Sequence, residues 1–127
     1  MSEKASQDRS AREPRVVLAV TGGIAVYKAV EVMRGLQHAG CDVRVAMTAD
    51  AERFVGTSTF EALSGHPVAD DLYAYADSPI PHIFLADWAD LVLVVPATAN
   101  VIAKMAAGIA DDCLSTTLVA AHCPVPP

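Results

Sequence analysis

The sequence has no long hydrophobic run: none of its apolar stretches approaches the roughly 18–20 residues that a membrane-spanning helix requires. Its first residues are too polar for a signal peptide. The nine Lys and Arg residues form no stripe, and the formal net charge is −6, which argues against nucleic acid as a partner. The three cysteines are an odd number without CxxC spacing. We therefore expect a cytoplasmic protein with no membrane contact and no metal site.

The remaining composition predicts a single folded domain. The chain has 127 residues, of which 53% are hydrophobic and 19% are charged, and this balance allows one core to be buried. Residues 1–15 contain no Val, Ile, Leu or aromatic side chain, so we expect them to form a mobile arm. The folded domain is then expected to extend over residues 16–127.

Three apolar stretches predict the strands of a sheet. VVLAV (16–20) and LVLVV (91–95) are continuous runs typical of strands buried on both faces, whereas DVRVAM (42–47) alternates and indicates a strand nearer a sheet edge. Helical patterns follow at 26–37, at 51–55 and 59–63, from 82 to about 89, from PATAN to 107, and from 111 or 112 to 121. Residues 68–80 match no pattern.

This alternation predicts a doubly wound α/β fold with a parallel sheet and helices on both faces. Ligands of such sheets bind beyond the carboxyl ends of the strands, where TGGIA (21–25) and PATAN (96–100) lie. The glycine turn either holds a phosphate through backbone N–H groups or serves only the turn itself. It lacks the third glycine of GxGxxG and the glycine-lysine end of a P-loop, which leaves a mononucleotide as the possible nucleotide ligand.

A few polar side chains are candidates for chemistry, each with a structural alternative. His82 is the best candidate for proton transfer because histidine titrates near neutral pH, although a lone histidine is more often structural. Asn100 can both donate and accept hydrogen bonds beside a flat ligand, but Thr98 or Asn100 could instead cap the next helix. Asp111 and Asp112 are sufficiently explained as a helix cap.

Five segments taken in order resemble one family: TGGIAVYKA, AERFVGTSTFEALSGHPV, PHIFLADWADL, PATANVIAK and GIADDCLSTTL. They resemble the flavin-dependent cysteine decarboxylases, most closely the phosphopantothenoylcysteine decarboxylase domain of bacterial coenzyme A biosynthesis. The resemblance implies a Rossmann-like or flavodoxin-like three-layer flavoprotein domain over residues 16–127.

The resemblance also implies bound FMN and a set of site residues. His82 matches the essential histidine of the family's PHI motif, and Asn100 matches the asparagine that positions the flavin and the substrate carboxylate. The residues implied to bind the cofactor lie at the strand exits and helix starts: Gly23, Ile24, Ala25, Thr48, Ala49, Asp50, Thr98, Ala99, Asn100, Val101 and Ser115.

The reaction implied is the decarboxylation of 4'-phosphopantothenoylcysteine to 4'-phosphopantetheine. Oxidation of the cysteine thiolate makes carbon dioxide a good leaving group because the carbanion is delocalised as an enethiolate. The alternatives are a peptidyl-cysteine decarboxylase of lanthipeptide maturation and a non-catalytic FMN-binding regulatory subunit. The family pattern continues into a P-A-M-N segment and a flap with the reducing-step cysteine, so the domain is expected to be truncated.

The resemblance carries two expectations about partners. Family members assemble as trimers that pair subunits across the flavin, so we expect a homotrimer or a homododecamer. The second expectation is that the domain is fused to a phosphopantothenoylcysteine synthetase domain in the native protein.

Overall fold

The computed structural model describes residues 12–23, 26–71, 73, 75–95 and 97–125. The elements in chain order are β1 (Arg15–Val20), α1 (Tyr27–His38), β2 (Asp42–Met47), a 3₁₀ helix (Ala51–Arg53), α2 (Thr57–Ser64), α3 (Pro81–Trp88), β3 (Leu91–Val94), α4 (Ala99–Ala107) and α5 (Cys113–Ala120). Within these residues, no helix has the length and apolar character needed to cross a bilayer.

The three described strands form one parallel sheet in the order β2-β1-β3. Val17 of β1 is paired with Arg44 of β2 on one side and with Val92 of β3 on the other. Because the chain crosses from β1 to β2 and back over to β3 through helices, all three strands present their carboxyl ends at the same edge. The predicted α/β class and the parallel sheet are confirmed.

Alternate side chains of β1 enter two separate cores. Val17 and Ala19 belong to a core cluster with residues of α3 and α5, whereas Leu18 and Val20 belong to a cluster with residues of α1 and α2. A strand sends successive side chains to opposite faces, so this division shows that helices cover both faces of the sheet. The arrangement is the three-layer architecture that the sequence predicts.

The strand at 91–95 differs from its prediction. We expected it to be buried on both faces, but Val92 and Val94 are buried while Leu91 and Leu93 are only half-buried. The helices of the second core, α1 and α2, pack on β1 and β2. They leave the corresponding face of β3 less covered, which explains the partial exposure.

Ala69, in the segment 68–80 that matches no sequence pattern, covers the outer edge of β2. Ala69 forms an isolated parallel bridge with Ala46. The Ala69 N–H donates to the Val45 carbonyl at 2.9 Å, and the Met47 N–H donates to the Ala69 carbonyl at 3.0 Å. The alternation that suggested an edge position for β2 therefore reflects a strand whose edge is closed by a loop.

A buried arginine fastens α3 to the sheet. Arg44 is only 9% exposed, and its Nη1 donates to the Tyr75 hydroxyl at 2.9 Å and to the Asp77 carboxylate at 2.6 Å. Its guanidinium lies 4.8 Å from the ring centroid of Phe84 and 5.2 Å from that of Trp88, both on α3. Hydrogen bonds and cation–π contacts thus hold the charge of Arg44 between the loop and the helix.

The residues just before β1 are attached to the domain by charge. Both guanidinium nitrogens of Arg12 donate to Asp90, at 2.8 and 3.1 Å, and the Arg15 N–H donates to the same carboxylate at 2.9 Å. We expected residues 1–15 to be a mobile arm, but residues 12–15 are anchored, and β1 begins at Arg15 rather than residue 16. The apolar pattern missed this because the attachment is ionic. Residues 1–11 lie outside the described residues.

Candidate functional site

A cavity of about 410 Å³ opens at the carboxyl edge of the sheet. Its size falls within the range of small-molecule and cofactor sites. It lies where the turns after β1 and β2 meet the first turns of α4 and α5. The lining residues are Thr21, Gly22, Thr48, Ala49, Asp50, Thr98, Asn100, Val101, Lys104, Asp112, Leu114 and Ser115.

The turns after β1 and β2 approach each other closely on one side of this cavity. A Cβ atom added to Gly22 would lie 2.6 Å from the Cβ of Asp50 and 2.7 Å from its Oδ2. Only glycine fits there without displacement, because real Cβ contacts are not that short. The Thr48 hydroxyl accepts from the Ala51 N–H at 3.1 Å and so shapes the second turn.

The start of α4 combines the two roles that the sequence left open. Thr98 is the N-cap, and its hydroxyl accepts from the Val101 N–H at 3.3 Å. Asn100 makes no such cap; it lies in the first turn and lines the cavity. Thr98 therefore caps the helix and lines the cavity, while the Asn100 side chain is available to a ligand.

The start of α5 is fixed by a capping box, as the sequence predicted for the carboxylates at 111 and 112. Asp112 accepts from the Ser115 N–H at 2.7 Å, and the Ser115 hydroxyl accepts from the Asp112 N–H at 3.0 Å. Ser115 lines the cavity, but this hydroxyl is already engaged. Burial, with the nearby Asp112 carboxylate second, raises the pKa of Cys113 to about 11, so this thiol stays protonated at neutral pH.

An ion pair joins α4 to the loop before α5. The Lys104 Nζ donates to the Asp111 carboxylate at 2.8 Å. Asp111 also accepts from the Ser115 hydroxyl at 3.3 Å. Lys104 is the one basic side chain among the described lining residues. It adds a positive charge to a cavity for which the sequence suggested only backbone N–H groups as phosphate ligands.

Glu52, in the 3₁₀ helix after β2, forms a hydrogen bond with the carboxyl group of Asp70. A hydrogen bond with Asp70 and, second, desolvation raise the pKa of Glu52 to about 7. One Glu52 oxygen, Oε1, is buried without a hydrogen-bond partner in the part of the chain that the structure describes. Glu52 therefore keeps its proton up to about neutral pH.

His82 is not among the residues that line the cavity. It lies in the first turn of α3, directly after Pro81 at the helix start. Its Nδ1 is buried, and no described residue is its hydrogen-bond partner. Buried polar atoms are usually paired, so this nitrogen is an exception within the described part of the chain.

The cavity brings together seven of the predicted binding residues: Thr48, Ala49, Asp50, Thr98, Asn100, Val101 and Ser115. Gly23 and Ala99 are not among the lining residues, and Ile24 and Ala25 lie outside the described residues. Five lining residues were missed: Thr21, Gly22, Lys104, Asp112 and Leu114. A helical signal could have found Lys104, which is four residues after Asn100 and thus on the same face of α4.

Comparison with known proteins identifies relatives along nearly the whole chain. The model of the Flavoprotein family matches residues 4–126. The chain is 57% identical over 111 residues to the coenzyme A biosynthesis bifunctional protein CoaBC of Bacillus subtilis, an alignment that covers 87% of this chain and 27% of that relative. The chain thus spans about a quarter of the length of the curated relatives that it matches.

Solved structures agree in fold. The crystal structure of the FMN-dependent cysteine decarboxylase SpaF has a TM-score of 0.82 and 36% identity, covering 88% of this chain and 65% of that one. A PPC decarboxylase mutant complexed with pantothenoylaminoethenethiol has a TM-score of 0.74 and 27% identity, covering 90% and 67%. The family match over residues 4–126 and these shared folds lead to one conclusion: the chain belongs to the Flavoprotein family.

Proposed function

We propose that the chain is an FMN-dependent decarboxylase that converts 4'-phosphopantothenoylcysteine to 4'-phosphopantetheine in coenzyme A biosynthesis. The observation that carries the proposal is the cavity at the carboxyl edge of the sheet, in a chain 57% identical to a coenzyme A biosynthesis protein. Function follows from a site rather than from a fold, and this site joins the TGG, TAD and PATAN segments.

The residues at the cavity fit FMN. Gly22 lines the cavity, and its lack of a side chain allows the turns after β1 and β2 to lie close together on this side of it. The first turns of α4 and α5 line the cavity, and Lys104 adds a positive charge. These features suit a flat ligand that ends in a phosphate.

When bound, the flavin supplies an electron acceptor for oxidation of the substrate thiolate, after which loss of carbon dioxide is favourable. The chain's own residues bind and orient the reactants. The Asn100 carboxamide can donate to the substrate carboxylate and accept from the flavin or substrate amide. His82 holds or moves the proton at the substrate, which its imidazole can do near neutral pH.

The position of His82 favours a site that is completed between copies of the chain. His82 does not line the cavity of its own chain, and its buried Nδ1 has no partner among the described residues. We therefore propose a homo-oligomer, either a homotrimer or a homododecamer built from trimers, in which His82 reaches a flavin shared by two subunits. A sedimentation profile with only monomer would contradict this assembly.

We also propose a domain fusion and a cellular location for the native protein. The bifunctional relatives extend well beyond the matched region, which supports fusion to a phosphopantothenoylcysteine synthetase domain in the native protein. All three cysteines are free thiols, and this supports a reducing, cytoplasmic location.

The test compares His82→Asn with His38→Asn. His38 ends α1, at the opposite edge of the sheet from the cavity, and is exposed. We expect both variants to bind FMN, measured by the visible absorbance of the bound flavin. Only wild type and His38→Asn should bleach the flavin anaerobically and release carbon dioxide when phosphopantothenoylcysteine is added. Unchanged turnover in His82→Asn would remove the role given to this residue.

The products separate this reaction from its nearest rival. The chain is similar in structure to SpaF, an FMN-dependent cysteine decarboxylase, and peptidyl cysteine is the second candidate substrate. Detection of phosphopantetheine among the products by mass analysis would support the proposed function. Turnover of a cysteine-terminated peptide alone would favour the rival. A bound flavin that responds to neither substrate would favour a non-catalytic FMN-binding subunit.

A further inference from the structure

Lys104 stands out among the charged groups at the cavity. The other charged lining residues in the described part are the carboxylates Asp50 and Asp112. An anionic ligand entering this cavity meets two like charges, and like charges at close range are unfavourable. Arg53 pairs with Asp50 at 3.5 Å but does not line the cavity. Among the described lining residues, the Lys104 ammonium is the positive charge that an anionic ligand can meet.

The side chain of Lys104 is mostly covered, while its present partner is not. Lys104 is 20% exposed at its side chain, but Asp111 is 58% exposed. The hydrogen bond between them raises the pKa of Lys104 and lowers the pKa of Asp111, so both are charged at neutral pH. Ion pairs with a solvated partner contribute little to stability. Exchange of Asp111 for another anion therefore costs little free energy.

We propose that Lys104 is an anion-binding residue of this site, which exchanges Asp111 for an anionic group of the bound ligand. That group is the phosphate of FMN or the carboxylate of the substrate. The inference rests on the proposed function and adds to it a side chain that the motifs did not identify. The ammonium is carried on a flexible four-carbon stem with three donors, which suits a change of partner.

A purely structural role for Lys104 makes a different prediction. The pair with Asp111 also joins α4 to the loop before α5, so Lys104 could serve only to order that loop. In that case removing either partner would have the same effect on binding. If Lys104 binds the ligand, removing Asp111 leaves the ammonium free, and the two substitutions must differ.

The experiment measures FMN and riboflavin binding by fluorescence quenching for wild type, Lys104→Met and Asp111→Asn. Riboflavin has the same ring system without the phosphate. If Lys104 holds the phosphate, Lys104→Met lowers FMN affinity about tenfold, the scale of a charge-assisted hydrogen bond, and leaves riboflavin affinity unchanged. Asp111→Asn keeps or increases FMN affinity. Added salt weakens FMN binding less in Lys104→Met than in wild type.

The second arm uses protein loaded with FMN. If Lys104 holds the substrate carboxylate instead, Lys104→Met binds FMN as wild type does, and its KM for phosphopantothenoylcysteine rises about tenfold with a smaller change in kcat. Either pattern supports the inference and identifies the anion. Lys104→Arg, which retains the charge, should recover most of the lost binding.

Three results overturn the inference. Equal losses in Lys104→Met and Asp111→Asn would show that the pair only orders the loop. Equal losses of FMN and riboflavin affinity, or no loss together with an unchanged KM, would show that Lys104 meets no anion. These results leave the proposed function standing, because wild type still binds flavin. A wild-type protein that binds neither flavin would overturn the proposed function, and this inference with it.

Discussion

The two helices on either side of β3 in the sequence, α3 and α4, are held in very different ways. α3 buries Pro81, Leu85 and Ala86 and packs Phe84 and Trp88 against the buried Arg44. α4 buries only Val101 in the described structure, and its Ile102 and Met105 are exposed. One helix is part of the core, and the other packs mainly against α5.

This difference separates two tasks of the proposed site. α3 carries His82, and a proton-transfer group must be held within a narrow geometry, which packed elements provide. α4 forms a cavity wall with Thr98, Asn100 and Lys104. Segments with few buried apolar contacts open at low free energy, so this wall can adjust when a ligand enters. The proposed site therefore combines a firmly packed helix that carries His82 with a cavity wall that can adjust.

Substitution of Arg44 should have the largest effect on this comparison. Arg44→Met keeps an aliphatic side chain but removes the charge from the Tyr75 hydroxyl and Asp77 carboxylate. We expect a loss of about 2–3 kcal/mol in the free energy of unfolding, at the low end for a broken buried pair because Asp77 is partly exposed. Urea unfolding monitored by Trp88, the only tryptophan of the chain, measures it directly.

Arg44→Lys is the matched control for this prediction. Lysine keeps the positive charge but cannot stack its head group on Phe84 and Trp88 as a planar guanidinium does, so its stability should lie between those of wild type and Arg44→Met. If Arg44→Met unfolds at the wild-type urea concentration, α3 is held by its apolar contacts alone. The contrast with α4 would then be one of burial rather than of charge.

Loss of the α4 cap should have a smaller and more local effect. Thr98→Ala removes the acceptor for the Val101 N–H, at a cost of about 1 kcal/mol. Because little of α4 is buried, we expect its backbone amides to exchange hydrogen faster while those of α3 keep their protection. Hydrogen exchange with mass analysis resolves the two helices.

Thr98→Ser controls for the change of size, since serine retains the capping hydroxyl and should keep α4 protected. Equal acceleration in α3 and α4 after Thr98→Ala would mean that the two helices open as one unit. The separation into a fixed and an adjustable element would then be wrong.

The sequence predicts the elements of this fold better than the partners of its charged side chains. The strand at 42–47 has the predicted bounds, and α4 ends at Ala107 as predicted, with Gly108 as a left-handed C-cap. These features depend on local patterns. The alternation of DVRVAM, in contrast, does not reveal that Arg44 is buried, because Tyr75 and Asp77 reach it from the segment that has no pattern.

The site shows the same limit. The residues that follow the strands, such as Thr48 and Asn100, could be placed at the cavity because parallel strands end at one edge. Lys104 could have been placed there too, since it follows Asn100 by four residues on α4. Asp112 could not, since its contribution depends on how α5 packs around the cavity. The position of His82 outside the cavity of its own chain also depends on packing, and the motif alone carries no information about it.

The smallest expected effect lies at the β2 side of the cavity and depends on pH. A hydrogen bond with Asp70 and then desolvation raise the pKa of Glu52 to about 7 in the folded state, above its usual value near 4.5. The folded protein therefore binds this proton more tightly than the unfolded chain does. The resulting stability is fully present below about pH 4.5 and is lost as the pH rises through about 7.

Glu52→Gln tests whether this side of the cavity is a third, pH-dependent element beside the fixed α3 and the adjustable α4. Glutamine stays neutral and can still donate to Asp70, so the variant should match wild type near pH 5. At pH 8 it should be more stable, by less than about 1 kcal/mol because Glu52 is partly exposed to solvent. Urea midpoints at the two pH values measure this, with Glu31→Gln on the exposed face of α1 as the control. If the stability of Glu52→Gln depends on pH as steeply as that of wild type, other groups titrate on folding. The β2 side of the cavity would then not be a pH-dependent element.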